Sequence, residues 1–103
     1  MSVNKNFSFS SKVWLYPGKA AWHFLTLPKN LADEISENFG YFKQGWGSIK
    51  VVVKIQETVW ETSIFQDKKS QSYLLPIKSA IRKKLDIKEN DEITINLEIK
   101  YAL

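Results

Sequence analysis

From Glu92 to Lys100 apolar and polar residues alternate without a break: Ile93, Ile95, Leu97 and Ile99 fall on one side, Thr94, Asn96, Glu98 and Lys100 on the other. A period of two is the pattern of a strand with one face buried and one wet. Phe7 to Tyr16 alternates in the same way, with Phe7, Phe9, Val13 and Leu15 set against Ser8, Ser10, Lys12 and Trp14. A chain that carries two such segments must build a sheet, and its other apolar runs must complete it.

The turns between those runs are legible. Pro17-Gly18 combines a preset φ with tolerance of positive φ, which predicts a hairpin between the first strand and a second over Ala21 to Leu27. Pro28-Lys29-Asn30 opens a helix, with Asn30 as N-cap, Asp33 and Glu34 near the positive end and Gly40 as a left-handed C-cap. Its apolar stripe is Leu31, Ile35 and Phe39, while Asp33 and Glu37 face water. A loop from Tyr41 to Ser48 follows, containing Gly45-Trp46-Gly47. The β-branched runs Ile49–Ile55 and Val59–Phe65 flank Gln56-Glu57-Thr58 and predict a second hairpin.

Asp67-Lys68-Lys69-Ser70 reads as a polar turn and Ser72 to Leu75 as a short strand. Pro76 begins a second helix striped by Ile77, Ile81 and Leu85, with Lys83 and Lys84 in its last turn, where cations suit the dipole. Glu89-Asn90-Asp91 turns the chain into the last strand. The order β-β-α-β-β-β-α-β predicts a mainly β (α+β) fold, a small, mostly antiparallel barrel with two short helices. A length of 103 residues fits one domain over 1–103, with the barrel core at about 7–100.

Composition narrows the chemistry. The chain has no cysteine, which excludes disulfides and thiolate catalysis and suits a reducing cytoplasm. Met1 to Asn6 has no apolar run of the signal-peptide kind, and Val51-Val52-Val53 is far too short to cross a bilayer, so a soluble, cytoplasmic protein is expected. Net charge is +4, and the segment Phe65–Lys88 alone carries +5. A long-range field of that sign favours an anionic partner. Four Trp, four Tyr and six Phe are enough to dominate a core or wall a site.

Several stretches, in order, carry a resemblance. They are Trp14-Leu15-Tyr16-Pro17-Gly18; Trp22-His23-Phe24-Leu25-Thr26-Leu27-Pro28; Thr62-Ser63-Ile64-Phe65; Tyr73-Leu74-Leu75-Pro76-Ile77-Lys78; Ile81-Arg82-Lys83; and Asn90-Asp91-Glu92-Ile93-Thr94-Ile95. Together they resemble the domain-of-unknown-function family 1905, from about Phe7 to Ile99. The resemblance implies a double-split β-barrel, an architecture shared in outline with AbrB/MazE-type DNA-binding domains, and no assigned activity or catalytic residues. Two positions depart from the family pattern: Gln56-Glu57-Thr58 replaces a Gly-rich turn, and Asn90 replaces a Gly before Asp91. Asn tolerates the left-handed conformation, so the fold should survive both.

Motifs for catalysis are sparse. His23, the single histidine, falls inside a strand, and Gly47-Ser48 lacks the nucleophile elbow and leads into a strand. Asp91/Glu92 and Asp33/Glu37 lack the spacing of zinc or calcium sites, so no metal and no cofactor is expected. Gly45-Trp46-Gly47 leads into Ile49-Lys50-Val51, where a phosphate loop would lead into a helix, and reads as a tight turn that lets Trp46 fold onto the barrel.

The best candidate site is the start of the second helix. Its N–H groups face outward, Lys78 and Arg82 share a face at i, i+4, and Tyr73 and Ser79 are near in sequence. Trp22, Trp46 or Trp60 would supply a flat wall beside those cations, the combination suited to a nucleotide or aromatic acid. The expected function is a non-catalytic binding module for an anionic small ligand or a protein partner. The alternatives are nucleic-acid binding through Lys68, Lys69, Lys83, Lys84 and Lys88, interrupted by Asp67, Asp86, Glu89 and Asp91, and an enzyme using carboxylates as acid and base.

Overall fold

The computed structural model describes residues 4–18, 22–40 and 47–100. Seven strands and two helices follow in the order β1 (Asn6–Lys12), β2 (Trp14–Leu15), β3 (His23–Thr26), α1 (Lys29–Phe39), β4 (Ser48–Ile55), β5 (Thr58–Asp67), β6 (Ser72–Pro76), α2 (Ser79–Leu85) and β7 (Glu92–Ile99). All strands join one sheet, ordered β1-β7-β4-β5-β6-β3-β2, and every neighbouring pair is antiparallel. The two edge strands β1 and β2 are separated in the chain by Val13 alone, so the sheet has to curl back toward itself. Val13 sits fully buried at that junction, donating its N–H to Asp91 O and accepting from Asn90 N at its carbonyl. The result is the mostly antiparallel, barrel-like α+β fold expected from the alternation.

The split at Val13 corrects the single strand expected over Phe7 to Tyr16. One stretch of chain serves two partners, β7 before Val13 and β3 after it. Phe7 and Phe9 enter the core as predicted, but Leu15 is 37% exposed, because it lies opposite His23 at the rim, past the core contact made by Val13. The second strand is described only from His23, since Ala21 lies outside the described residues.

Core residues come from the inner faces: Ile49, Val51, Val53 and Ile55 of β4, Ile95, Leu97 and Ile99 of β7, and Leu25 directly opposite Leu75 where β3 meets β6. Helix α1 contributes Ala32, Ile35 and Phe39, with Leu31 packed at the margin. Its cap differs from the expectation. Pro28 (φ −56°, ψ 143°) precedes the helix and accepts the Ala32 N–H, which puts Asn30 inside the first turn. Proline has no side-chain acceptor, so no side chain caps this helix end and the Pro28 carbonyl alone starts the helical ladder. Gly40 is right-handed (φ −59°) and so does not form the left-handed cap expected of it.

Pro76 likewise ends β6 and does not open α2. Lys78 is the N-cap and the helix runs only from Ser79 to Leu85, with Ile81 and Leu85 half-buried against the core and Ile77 and Ile87 buried on either side. Asp86 closes it in the left-handed conformation (φ 55°). No helix among the described residues is long and apolar enough to cross a membrane.

Gln56 and Asn90, the two places where the resemblance implies glycine, both adopt positive φ, 54° and 75°. Holding Gln there stores strain that a Cβ-free residue avoids. Gln56→Gly should therefore stabilise the fold by up to about 1 kcal/mol, raising Tm by roughly 4–8 °C in a thermal melt. A fall in Tm would show that Gln56 makes a compensating contact.

Lys100 spans β4 to reach β5, its Nζ 2.6 Å from Glu61 Oε1, and the hydrogen bond and charge hold the Glu61 carboxyl below its usual range. The folded chain therefore takes up that proton less readily than the unfolded one. The contact adds stability above the ordinary glutamate range and loses it as pH falls through the lowered pKa. Lys100→Ala should narrow the gap to wild type only at acid pH, and an unchanged gap down the acid limb would remove the contact from the account. Both groups are exposed, so the effect is small.

Candidate functional site

Where the C-terminal half of β5 meets β6, β3 and β2, apolar side chains stand on both faces of the sheet. Residues directly opposite in an antiparallel pair share a face. The register pairs Phe65 with Leu74 and Leu74 with Thr26, then Pro76 with Phe24 and Phe24 with Trp14. These side chains stand on the outer surface, back to back with Leu25 and Leu75 in the core. This is why Ser72, Tyr73, Leu74 and Leu75 are all buried in a strand that should alternate.

The outer face is led by an aromatic cluster. Trp14 and Phe24 lie 5.4 Å apart between ring centroids, Tyr16 and Trp22 6.1 Å, and Trp22 meets Phe24 edge to face at 6.2 Å and 82°. Trp14 is pinned by its indole N–H, which donates to Thr26 Oγ1 at 2.9 Å. Trp22 remains 55% exposed, Tyr16 42% and Phe65 38%. Large aromatic surface left in water at neighbouring positions marks a surface meant to be covered.

A groove of about 1010 Å³ runs over this face. Tyr16, Trp22 and Phe24 line one part, Phe65 and Leu74 another, and Pro76, Ile77, Lys78, Ser79 and Arg82 a third, with His23 and Gln66 adding polar atoms. Among the described residues, the charged side chains of the lining are the cations Lys78 and Arg82. The Arg82 Nε donates to the Ile77 carbonyl at 3.1 Å, which fixes the guanidinium against the start of the helix it belongs to. Such a surface offers apolar contact to a planar body and charge-assisted hydrogen bonds to an anion. Because α2 has only seven residues, the side chains carry this chemistry and the helix dipole adds little.

Of the residues singled out from sequence, Lys78, Ser79, Arg82 and Trp22 come together here. Tyr73 and Trp60 do not. Tyr73 is 1% exposed on the inner face, its hydroxyl 2.8 Å from Ser36 Oγ of α1. Trp60 packs against the core from β5, and its Nε1 is buried without a hydrogen-bond partner. Both follow from the period of two: Tyr73 stands one residue from Leu74, Trp60 five from Phe65, so each faces away from the groove. Trp46 lies outside the described residues. Tyr73→Phe should cost about 1 kcal/mol in a denaturation curve through loss of the Ser36 contact. It should leave ligand affinity at the groove unchanged, and altered affinity would place Tyr73 in the site after all.

Tyr16, Phe24, Phe65 and Gln66 were not foreseen. The spacing Trp14/Tyr16 and Trp22/Phe24 was a usable signal, since residues two apart on paired strands share a face.

The basic segment is divided by the fold. Lys68 and Lys69 lie in the β5–β6 turn, whereas Lys83 and Lys84 are on α2 and Lys88 follows it. Ser72 to Lys78 spans about 20 Å of extended chain between them, more than a Debye length of about 8 Å at physiological salt. Lys68 borders a depression shared with Asp33 and Asp67, and Lys88 Nζ lies 3.7 Å from Asp86. Among the described residues no group of three or more His, Asp or Glu side chains could hold a metal ion.

Residues 9–97 match the family described as Domain of unknown function (DUF1905). The chain belongs to the DUF1905 family. That span runs from within β1 to within β7 and contains every described residue of the groove. No curated protein matches the sequence.

Proposed function

We propose that this DUF1905 domain is a non-catalytic binding module whose outer-face groove takes an anionic small molecule with an apolar, planar body. The observation that carries the reading is the charge of the lining: an aromatic groove whose charged side chains, among the described residues, are Lys78 and Arg82. Its volume, about 1010 Å³, lies at the upper end of the roughly 300–1,000 Å³ typical of small-molecule clefts. The lack of cysteine suits a cytoplasmic setting, where such metabolites are abundant.

A thermal-shift screen of aromatic carboxylates, nucleotides and neutral aromatic compounds tests it. Aromatic anions should raise the wild-type Tm, and Lys78→Ala combined with Arg82→Ala should erase the rise. Each charge-assisted hydrogen bond is worth about 1.5–3 kcal/mol, so the double variant should bind at least roughly tenfold more weakly. No shift from any anion, or one indifferent to both substitutions, would refute the reading.

A further inference from the structure

Charge and rings meet in one row of the sheet. The β2–β3 register that pairs Trp14 with Phe24 runs on through a hydrogen bond from Tyr16 N to Trp22 O, so Tyr16 stands directly across from Trp22. The β3–β6 register that pairs Phe24 with Pro76 runs on through a hydrogen bond from Ile77 N to His23 O, which puts Lys78 on the other side of Trp22. Lys78 keeps the extended backbone that this needs, with φ −64° and ψ 154°. His23 and Ile77 carry the hydrogen bond, so Trp22 and Lys78 form the kind of pair in which opposite side chains come closest. Lys78, Trp22 and Tyr16 therefore follow one another on the outer face at about the 4.8 Å spacing of neighbouring strands. Pro76, Phe24 and Trp14 form the next row, and Phe65 and Leu74 belong to the one beyond.

The faces of aromatic rings are negative, so the cluster repels a carboxylate and accepts another ring, stacked or edge-on. Trp22 and Tyr16 are its most open rings, 55% and 42% exposed, and Phe24 backs Trp22 edge to face at 82°. The anion must then go to a cation. The Lys78 ammonium is exposed and forms no ion pair or side-chain hydrogen bond among the described residues. The Arg82 Nε already donates to the Ile77 carbonyl, so contact with the anion falls to Lys78 and Arg82 adds its field. One ammonium balances one carboxylate, whereas a phosphate monoester brings a charge of about −1.5 to −2. A ring seated on Trp22 lies one strand away from that ammonium. A ligand that satisfies both carries its anion close to its ring, because a long spacer would take the anion past Lys78.

We infer that the groove selects a compact aromatic carboxylate, its ring on Trp22 and Tyr16 and its carboxylate, one or two bonds from the ring, paired with Lys78. The inference rests on the groove being the binding site, as proposed above. Isothermal titration with indole-3-acetate, indole-3-acetamide, adenosine 5′-monophosphate and inorganic phosphate separates the two claims. Indole-3-acetate should bind at least tenfold more tightly than each of the other probes. Lys78→Ala should bring it down to the level of the amide, and Lys78→Arg should keep most of its lead. Lys68→Ala, in the β5–β6 turn, should change nothing. Circular dichroism of each variant checks the fold, and Lys78→Gln, which keeps a long polar side chain and loses the charge, serves if the alanine variant unfolds. A monophosphate that binds as tightly as indole-3-acetate, or more so, would overturn the compact carboxylate and leave the groove standing as an anion site. Indole-3-acetate binding indifferent to Lys78 would also overturn it. Equal binding of the amide would remove the anion from this inference and from the reading beneath it, and no binding of any probe would take the site down as well.

Discussion

Leu25→Ala should lower the unfolding free energy by about 3–4 kcal/mol, within the range of 2–5 typical for a large aliphatic side chain deleted from a packed core. Leu25 is fully buried and stands directly opposite Leu75, also fully buried, where β3 meets β6. Both neighbouring strands are held by their own ladders, so the backbone cannot collapse onto the space and a cavity remains. Domains of this size typically have about 5–15 kcal/mol in all, so the loss should appear as a large shift in the urea midpoint with an unchanged slope. It should also weaken ligand binding, because Phe24 and Leu74, the outer-face neighbours of Leu25 and Leu75, would lose their backing. A loss under about 1 kcal/mol would mean that β3 is not part of the packed sheet.

Trp22→Ala should do the opposite: little to stability, much to binding. The ring is 55% exposed in the free protein, so deleting it removes modest packing against Tyr16 and Phe24. In the complex the same ring becomes covered, and truncation forfeits about 2 kcal/mol of apolar contact, roughly thirtyfold in Kd. Titration calorimetry beside a denaturation curve separates the two effects. A variant that unfolds early but binds normally would make Trp22 a structural residue and would remove the aromatic wall from the site.

How far the residues announce this molecule differs from element to element. β7 is written in Ile93 to Ile99, because one face of it is wet along most of its length. The hairpin at Gln56 is equally plain, flanked by β-branched runs whose register leaves no alternative pairing. The division of the first strand at Val13 is not legible locally, since its cause is the curl of the sheet, which brings β7 and β3 to successive parts of one segment. The helix starts were misplaced for a simple reason. Proline both ends strands and precedes helices, and only the tertiary hydrogen bonds show that Pro76 closes β6 whereas Pro28 caps α1.

The groove was half legible. Lys78 and Arg82 are neighbours on a helix face by spacing alone, and the sequence read them together. Trp22 was named as a wall without a reason to prefer it to Trp60. The register supplies that reason: around β2 and β3 both odd and even positions carry large apolar residues, and Val13 and Leu25 are the ones that face the core. The aromatic residues on the opposite positions, Trp14, Tyr16, Trp22 and Phe24, pack against one another on the outer surface. Phe65 joins them only through Leu74 of β6, which no periodicity in β5 reveals.

The most direct measurement is a two-dimensional amide NMR spectrum of the ¹⁵N-labelled protein titrated with an aromatic anion that raises its Tm. Covering the outer face should move the indole resonance of Trp22 and the amides of Phe24, Phe65 and Ile77 to Arg82, while those of Lys68, Lys69 and the inner-face residue Trp60 stay in place. Shifts gathered instead around the β5–β6 turn, with Trp22 unmoved, would contradict the assignment of this face as the binding site.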